Sequence, residues 1–183
     1  MNKVVDAILG RFSCWDYTPQ DLTEDELSIL AKVALASPSY FNKQPWHISI
    51  VTKKELIEGL NIEALEMLKD HKEIYNKVVS KGSKLVYNAP CIVVVSSNSI
   101  NSYSHIDCGI VIQNIALAAY SMGLASNISS TASLPINGPN KSMWYDILQI
   151  PPNYKQVITI LVGHPNINKK PHSIDINKIS WID

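Results

Sequence analysis

The chain has 183 residues, of which 46% are hydrophobic, a composition typical of a folded globular protein and unlike that of a disordered chain. Sixteen basic and sixteen acidic residues cancel, which argues against nucleic acid or an anionic membrane surface as a partner. The length predicts a single domain over residues 1–183, large enough to bury a sizeable core.

Two helices are predicted near the N-terminus. Residues 2–11 place four aliphatic side chains on one side of a short helix. In residues 22–37, Thr23 and Glu26 have the spacing of a capping box, in which each side chain binds a free backbone N–H at the helix start. Leucine and alanine then recur at helical spacing until Pro38, which cannot continue a helix.

The middle of the chain mixes strands and helices. Residues 47–52 alternate in polarity like a strand, and 53–82 form a charged helical segment for which we expect a break near Asn61. Residues 91–97 are an apolar, β-branched run typical of a central strand buried on both faces. Residues 106–122 predict an almost wholly apolar helix.

That apolar helix is expected to end at Gly123. Gln113, Asn114 and Ser121 interrupt its apolar run, which indicates a buried core helix and not a membrane span. Such a helix needs cover on all sides, and a partner subunit is one source of that cover.

The C-terminal part of the chain predicts a short helix at 140–150 and a β-branched strand at 156–163. A polar tail follows, and its last residues could form an edge strand. Few strands mixed with several helices predict an α+β sandwich around a mixed sheet.

The reactive side chains exclude several kinds of site. Cys14, Cys91 and Cys108 are odd in number and lack CxxC spacing, which indicates a reducing compartment such as the cytoplasm, and the N-terminus has no signal-like apolar run. Cys91 and Cys108 are expected to be buried packing residues. Cys14 has no base beside it, so an ordinary semi-buried cysteine is favoured and no catalytic residue is assigned. The histidines lack metal-ligand spacing, so no metal site is predicted.

Arg11 and Ser13 close the first predicted helix and could bind phosphate, since arginine is the preferred planar donor for it. The alternative is an arginine that interacts with the helix macrodipole. Lys169, Lys170 and His172 form a second cationic cluster, for which a solvated loop is the alternative. No GxGxxG or P-loop sequence is present, so a Rossmann nucleotide site is unsupported.

A polar loop separates the second helix from the first strand. Ser39, Asn42 and Gln44 carry short hydroxyl and amide groups that can bind the edge of a planar heterocycle while apolar groups cover its face. The alternative is a connector whose polar groups satisfy its own backbone. Spacing alone leaves both open.

Four segments in order together resemble the nitroreductase family of flavin mononucleotide (FMN) oxidoreductases, over nearly the whole chain. They are "RFSCWDYTPQDLTEDEL", "ASPSYFNKQPWHISIV", "HIDCGIVIQNIALAAYSMGLA", and "VGHP" followed by basic residues. The resemblance implies an α/β sandwich with a mixed, mostly antiparallel sheet flanked by helices, and an intertwined homodimer with flavin sites at the subunit interface.

The resemblance also implies a set of FMN-binding residues, namely Arg11, Phe12, Ser13, Trp15, Pro38, Ser39, Tyr40, Asn42, Asp107, Ser129, Ser130, Lys170 and His172. Arg11 and Ser13 match positions that hold the phosphate and ribityl chain. Lys170 and His172 match the basic tail positions that complete the phosphate site, with Lys169 as an alternative in register.

Other positions match contacts to the flavin ring. The loop at 38–42 matches the segment that reaches the isoalloxazine and ribityl groups, in a site shared by two subunits. Asp107 matches a polar position on the apolar helix near the flavin. Ser129 and Ser130 match the segment whose backbone lies over the ring near its reactive nitrogen.

This chain departs from the family pattern at several of these positions. Phe12 and Trp15 stand where many relatives carry basic residues, and His172 stands where arginine is usual. Tyr40 and Phe41 replace smaller residues and are expected to narrow the space above the flavin.

The activity implied is ping-pong hydride transfer from NAD(P)H through bound FMN to nitroaromatic, quinone or similar oxidised acceptors. The alternatives are a flavin-binding or storage protein, and a relative with a dedicated substrate, such as a dehalogenase-like or flavin-cleaving enzyme. Fold alone does not separate these functions.

Overall fold

The computed structural model describes residues 2–80, 82, 84–99 and 101–182, which form six α-helices and four β-strands. The helices are α1 (Lys3–Gly10), α2 (Glu24–Leu35), α3 (Lys54–Leu68), α4 (Lys72–Val79), α5 (Ser102–Ser121) and α6 (Lys141–Ile147). The strands are β1 (Trp46–Val51), β2 (Cys91–Ser97), β3 (Ala125–Ile128) and β4 (Lys155–Gly163).

The strands form one sheet in the order β1-β2-β4-β3, and every neighbouring pair is antiparallel. The only parallel element among the described residues is an isolated bridge between Ser13 and Ser126, which lies beyond the main ladder. Every residue of β2 is buried, as the apolar sequence predicts for a central strand.

Successive residues of the central strands point to opposite faces of the sheet and build two cores. Ile92 and Val94 belong to a core that includes Leu60 of α3 and Trp144 of α6. Val93 and its alternate neighbours belong to the other core, with the residues of α2 and α5. The result is a three-layer α/β sandwich, as the α+β prediction requires.

Helix α5 is covered by its own chain on only part of its surface. Val111, Ile112 and Ile115 are buried against the sheet and α2. Ile106, Gly109 and Gln113, which share one stripe at helical spacing, stay exposed. The expected burial on all sides is therefore not achieved within this chain.

Several local predictions were wrong. The segment 53–82, of which Lys81 lies outside the described residues, does not break near Asn61, because that residue is buried inside α3 and its side chain accepts a hydrogen bond from the Leu85 N–H at 2.8 Å. The break comes after Leu68. Strand β3 was not predicted, and the tail forms no strand in the part that the structure describes, only a 3₁₀ turn at Ile176–Lys178.

Candidate functional site

The segment after α1 runs along the β3 edge of the sheet. Ser13 bridges to Ser126, and the Cys14 N–H donates to the Ser126 carbonyl at 3.0 Å. The Asn127 side chain donates to the Cys14 carbonyl at 2.8 Å. These hydrogen bonds hold the segment that begins at Arg11 against the β3 edge of the sheet. No sequence pattern predicts this pairing.

Arg11 has an unsatisfied donor at this edge. Its Nη2 donates to Ser13 Oγ at 3.3 Å, while its Nε is buried and has no hydrogen-bond partner among the described residues. A buried donor without a partner costs free energy, so such groups are rare in folded proteins unless a ligand or water satisfies them. The remaining guanidinium donors and the adjacent Ser13 hydroxyl fit an anion bound beside them.

The basic tail returns to the same edge. Lys169 Nζ lies 3.9 Å from the centroid of the Trp15 ring, in a cation–π contact. Lys170 and His172 are exposed, and His172 Nδ1 lies 2.9 Å from the Ser173 carbonyl. The tail lysine held at Trp15 is thus Lys169, which the family resemblance leaves as the alternative in register to Lys170 and His172.

A cleft of about 700 Å³ opens beside Trp15. Its lining includes Lys77 of α4, and Lys84 and Tyr87 from the segment before β2. Sequence reasoning missed both lysines, because one lies in a charged helix and the other in a connector, where lysine is ordinary. The cleft thus brings two lysines and the carboxylate of Asp16 to the surroundings of Trp15.

The loop between α2 and β1 is held in a strained conformation. Phe41, Asn42 and Gln44 have φ angles of 50°, 53° and 45°, which non-glycine residues seldom adopt. Ser39 Oγ accepts a hydrogen bond from the Gln44 N–H at 2.9 Å. The Tyr40 N–H donates to Asp107 Oδ1 at 3.0 Å, so this buried carboxylate of α5 anchors the loop backbone.

Aromatic side chains gather at the same loop. Tyr40 stacks on Tyr103 with ring centroids 4.0 Å apart, and Phe41 meets Tyr40 edge-on at 4.6 Å. Phe41 is 81% exposed. Sequence reasoning missed Tyr103, since the stack joins two distant segments. Pro38 is exposed where the loop begins.

Ser129 and Ser130 follow β3 directly. Ser129 is buried, and its N–H donates to the Thr159 carbonyl at 2.9 Å. Its hydroxyl accepts a hydrogen bond from the Ala132 N–H at 3.1 Å. Ser130 is exposed at the surface of this fixed segment.

Two groups of predicted site residues lie far apart along α5 within this chain. One group comprises Arg11, Ser13 and the half-buried Phe12. It lies near the C-terminal end of α5, as shown by the preceding Gly10, on which a Cβ would overlap the side chain of Tyr120. The loop at 38–42 lies at Asp107, near the other end. Tyr120 lies 13 positions after Asp107 in α5, a distance of about 20 Å along the helix axis.

The cysteines are unsuited to nucleophilic chemistry. Burial raises the pKa of the Cys91 thiol to about 12 and that of Cys108 to about 11. Burial also raises the pKa of Cys14, whose thiol donates to the Asp16 carbonyl at 3.0 Å. All three thiols stay protonated near neutral pH, so none is the reactive thiolate.

Comparisons with known proteins identify the family. The model of the nitroreductase family matches residues 8–164. A nitroreductase structure with bound FMN from Desulfitobacterium hafniense is 32% identical, with a TM-score of 0.95 over 100% of both chains. The chain belongs to the nitroreductase family.

Two curated relatives carry the name "Putative NADH dehydrogenase/NAD(P)H nitroreductase". The one from Archaeoglobus fulgidus is 25% identical over 96% of this chain and 92% of its own length. The one from Methanothermobacter thermautotrophicus is 28% identical over 67% of this chain, and that match spans 58% of its own length. Among the described residues, no helix is both long and apolar enough to cross a membrane.

Proposed function

We propose that this chain is an FMN-dependent NAD(P)H oxidoreductase formed by one nitroreductase-like domain over residues 1–183. The observation that carries the proposal is the buried, unpartnered Nε of Arg11 beside the Ser13 hydroxyl. The structure from Desulfitobacterium hafniense, which matches over the full chain, has FMN bound. The three unpaired cysteines favour a reducing, cytoplasmic location.

The phosphate of FMN would fit the arginine corner, which is formed by Arg11 and Ser13. It carries close to two negative charges, and Arg11 offers a planar array of donors with Ser13 beside it. The tail would supply further donors through Lys170 and His172, or through Lys169, which already lies over Trp15. Trp15 replaces a charge by an aromatic surface that holds the ammonium in place.

The flavin ring would lie between the arginine corner and the cleft beside Trp15. The cleft volume of about 700 Å³ is in the range of cofactor pockets. On the family resemblance, the backbone at Ser129 and Ser130 would border one face of the ring. Lys84 would place positive charge near the ring, which stabilises the anionic reduced form.

A homodimer would complete the site. Within one chain the loop at 38–42 lies about 20 Å along α5 from Arg11, too far to enclose one ring together with it. Two copies of α5 packed antiparallel about a two-fold axis would bring the partner's loop to the arginine corner. The exposed stripe of α5 and the exposed aliphatic side of α1, with Ile8 50% exposed, support this interface.

FMN, when bound, would supply the hydride chemistry, a ping-pong exchange between NAD(P)H and a nitroaromatic or quinone acceptor. The residues of the chain would bind the cofactor, orient it and shield it from solvent. Arg11 and the tail hold the phosphate, and Asp107 holds the loop backbone through the Tyr40 N–H. A proton for the acceptor comes from the Tyr40 hydroxyl or from water, so no other general acid is needed.

The aromatic loop favours a second candidate function, a flavoprotein with a dedicated substrate or with flavin binding alone. Phe41, Tyr40 and Tyr103 crowd the approach that the loop would offer to an acceptor. A narrow approach admits flat acceptors and excludes bulky ones.

The visible spectrum of the purified protein tests the proposal. We expect flavin absorption bands, bleached by NADPH or NADH without oxygen and restored by menadione or a nitrofuran. Bound FMN that neither nucleotide reduces would favour the flavin-binding alternative. A colourless protein that takes up no added FMN would contradict both.

A further inference from the structure

A buried network of polar side chains lies directly behind Ser129. Thr159 of β4 is fully buried, and Gln156 of the same strand is 8% exposed. The Ser133 hydroxyl donates to Thr159 Oγ1 at 2.9 Å, and Asn137 donates to Gln156 Oε1 at 2.6 Å. Buried polar groups are costly unless their hydrogen bonds are satisfied, so this cluster replaces cheaper apolar packing in the core.

The geometry of the network leaves little freedom. Gln156 Nε2 donates one hydrogen bond to Ser133 Oγ at 2.9 Å and one to Thr159 Oγ1 at 3.1 Å. Both amide hydrogens are therefore used, and the amide oxygen accepts from Asn137. The amide can adopt only this orientation without losing a bond.

The network reaches the backbone of Ser129, which the family resemblance assigns to the flavin site. The Thr159 carbonyl accepts a hydrogen bond from the Ser129 N–H at 2.9 Å, and the Ser133 hydroxyl lies 3.4 Å from the Ser129 carbonyl. The Ser129 hydroxyl lies 3.0 Å from Thr131 Oγ1 and accepts from the Ala132 N–H. The N–H and the hydroxyl of Ser129 are thus held by hydrogen bonds, and the Ser133 hydroxyl lies next to its carbonyl.

We propose that Thr159 and Gln156 are positioning residues, which fix the Ser129–Ser130 backbone against the flavin ring through Ser133. The inference rests on the proposed function, because it requires a flavin at this segment. A backbone donor acts on a ring most strongly when it does not reorganise during the reaction. A network of hydrogen bonds anchored on a central strand opposes such reorganisation.

The network has a purely structural alternative, in which it only closes the core between β4 and the turns that follow β3. The two roles differ in what they change. A structural role affects the unfolding of the protein with or without flavin. A positioning role changes the affinity for the ring and the absorption bands of the bound flavin.

The test compares Thr159→Val with Thr159→Ser. Valine has nearly the shape of threonine but lacks the hydroxyl, whereas serine keeps the hydroxyl and loses only a methyl group. We expect Thr159→Val to raise the Kd for FMN and for riboflavin by the same factor, about three- to tenfold. We also expect a shift in the absorption bands of the bound flavin, with Thr159→Ser close to wild type in both readouts.

Ser133→Ala gives a second, milder variant, because Ser133 is only half-buried and its loss threatens the fold less. We expect it to weaken FMN and riboflavin binding equally. Thr159→Val and Ser133→Ala could instead keep the wild-type affinities and flavin spectrum and show only a lower unfolding temperature. That result would overturn this inference and leave the proposed function standing. A wild-type protein that takes up no flavin would overturn the proposed function and the inference together.

Discussion

At the residue scale, Arg11 carries the strongest case for a ligand. It is the only arginine in the chain, it caps the C-terminal end of α1, and its Nε is buried without a partner. Interaction with the helix macrodipole would explain a cation at this place, but it would not explain a buried donor left unsatisfied. An anion at the corner explains both.

Arg11→Ala is therefore expected to raise the Kd for FMN more than tenfold. It removes a charge-assisted contact of about 1.5–3 kcal/mol to the phosphate. Fluorescence titration with FMN measures the change. Riboflavin, which lacks the phosphate, is the matched control ligand, and its affinity should change little. An FMN affinity within twofold of wild type would refute the phosphate assignment.

At the element scale, sequence patterns predicted correctly those features whose hydrogen bonds join residues close together in the chain. The capping box of α2 has both predicted bonds, from the Glu26 N–H to Thr23 Oγ1 at 3.2 Å and from the Thr23 N–H to the Glu26 carboxylate at 2.7 Å. That backbone donor lowers the pKa of Glu26. The predicted break of the segment 53–82 failed at Asn61, because a long-range bond to Leu85 holds the asparagine inside α3.

Thr23→Ala is expected to lower the free energy of unfolding by about 1 kcal/mol, the usual cost of a lost N-terminal cap. Urea unfolding followed by circular dichroism measures it. Thr23→Ser keeps the hydroxyl and should remain near wild type. Equal losses in the two variants would show that the methyl group, and not the cap, carries the effect.

At the scale of the whole molecule, one chain leaves the face of α5 and the aliphatic side of α1 uncovered. Apart from the adjacent residues and the nearby backbone of α5, no described residue has a heavy atom within 4 Å of a Cβ built on Gly109, so the space over this part of α5 is open in the single chain. A stripe of this kind on an otherwise apolar helix fits a close helix–helix contact between two copies.

Gly109→Arg is expected to convert the proposed dimer into a monomer and to abolish tight FMN binding. The single chain leaves open space at a Cβ on Gly109, so the fold should persist. Two facing copies of α5 would leave no room for an arginine side chain between them. Sedimentation velocity and flavin content measure the two effects. Gly109→Ala adds only a methyl group and should stay dimeric with FMN bound. A dimeric Gly109→Arg protein with full FMN content would contradict this arrangement.

The sequence by itself determined the elements whose causes are local. The β-branched run 91–97 became the buried central strand, and helix α5 ended near Gly123, which has a φ of 79°. These outcomes depend on side chains within a few residues of one another, so their spacing can be read along the chain. The family could be recognised from the sequence for the same reason, since its motifs are short segments in a set order.

The tertiary structure alone decided the features that join distant segments. Strand β3 is four residues long and exists because β4 and the segment at Ser13 flank it. The unpartnered Arg11 Nε, the Tyr40–Tyr103 stack and the network behind Ser129 all depend on residues remote in sequence. The periodicity of the sequence cannot predict such contacts. The burial of these side chains and their hydrogen-bond partners are set only when the helices and the sheet pack together.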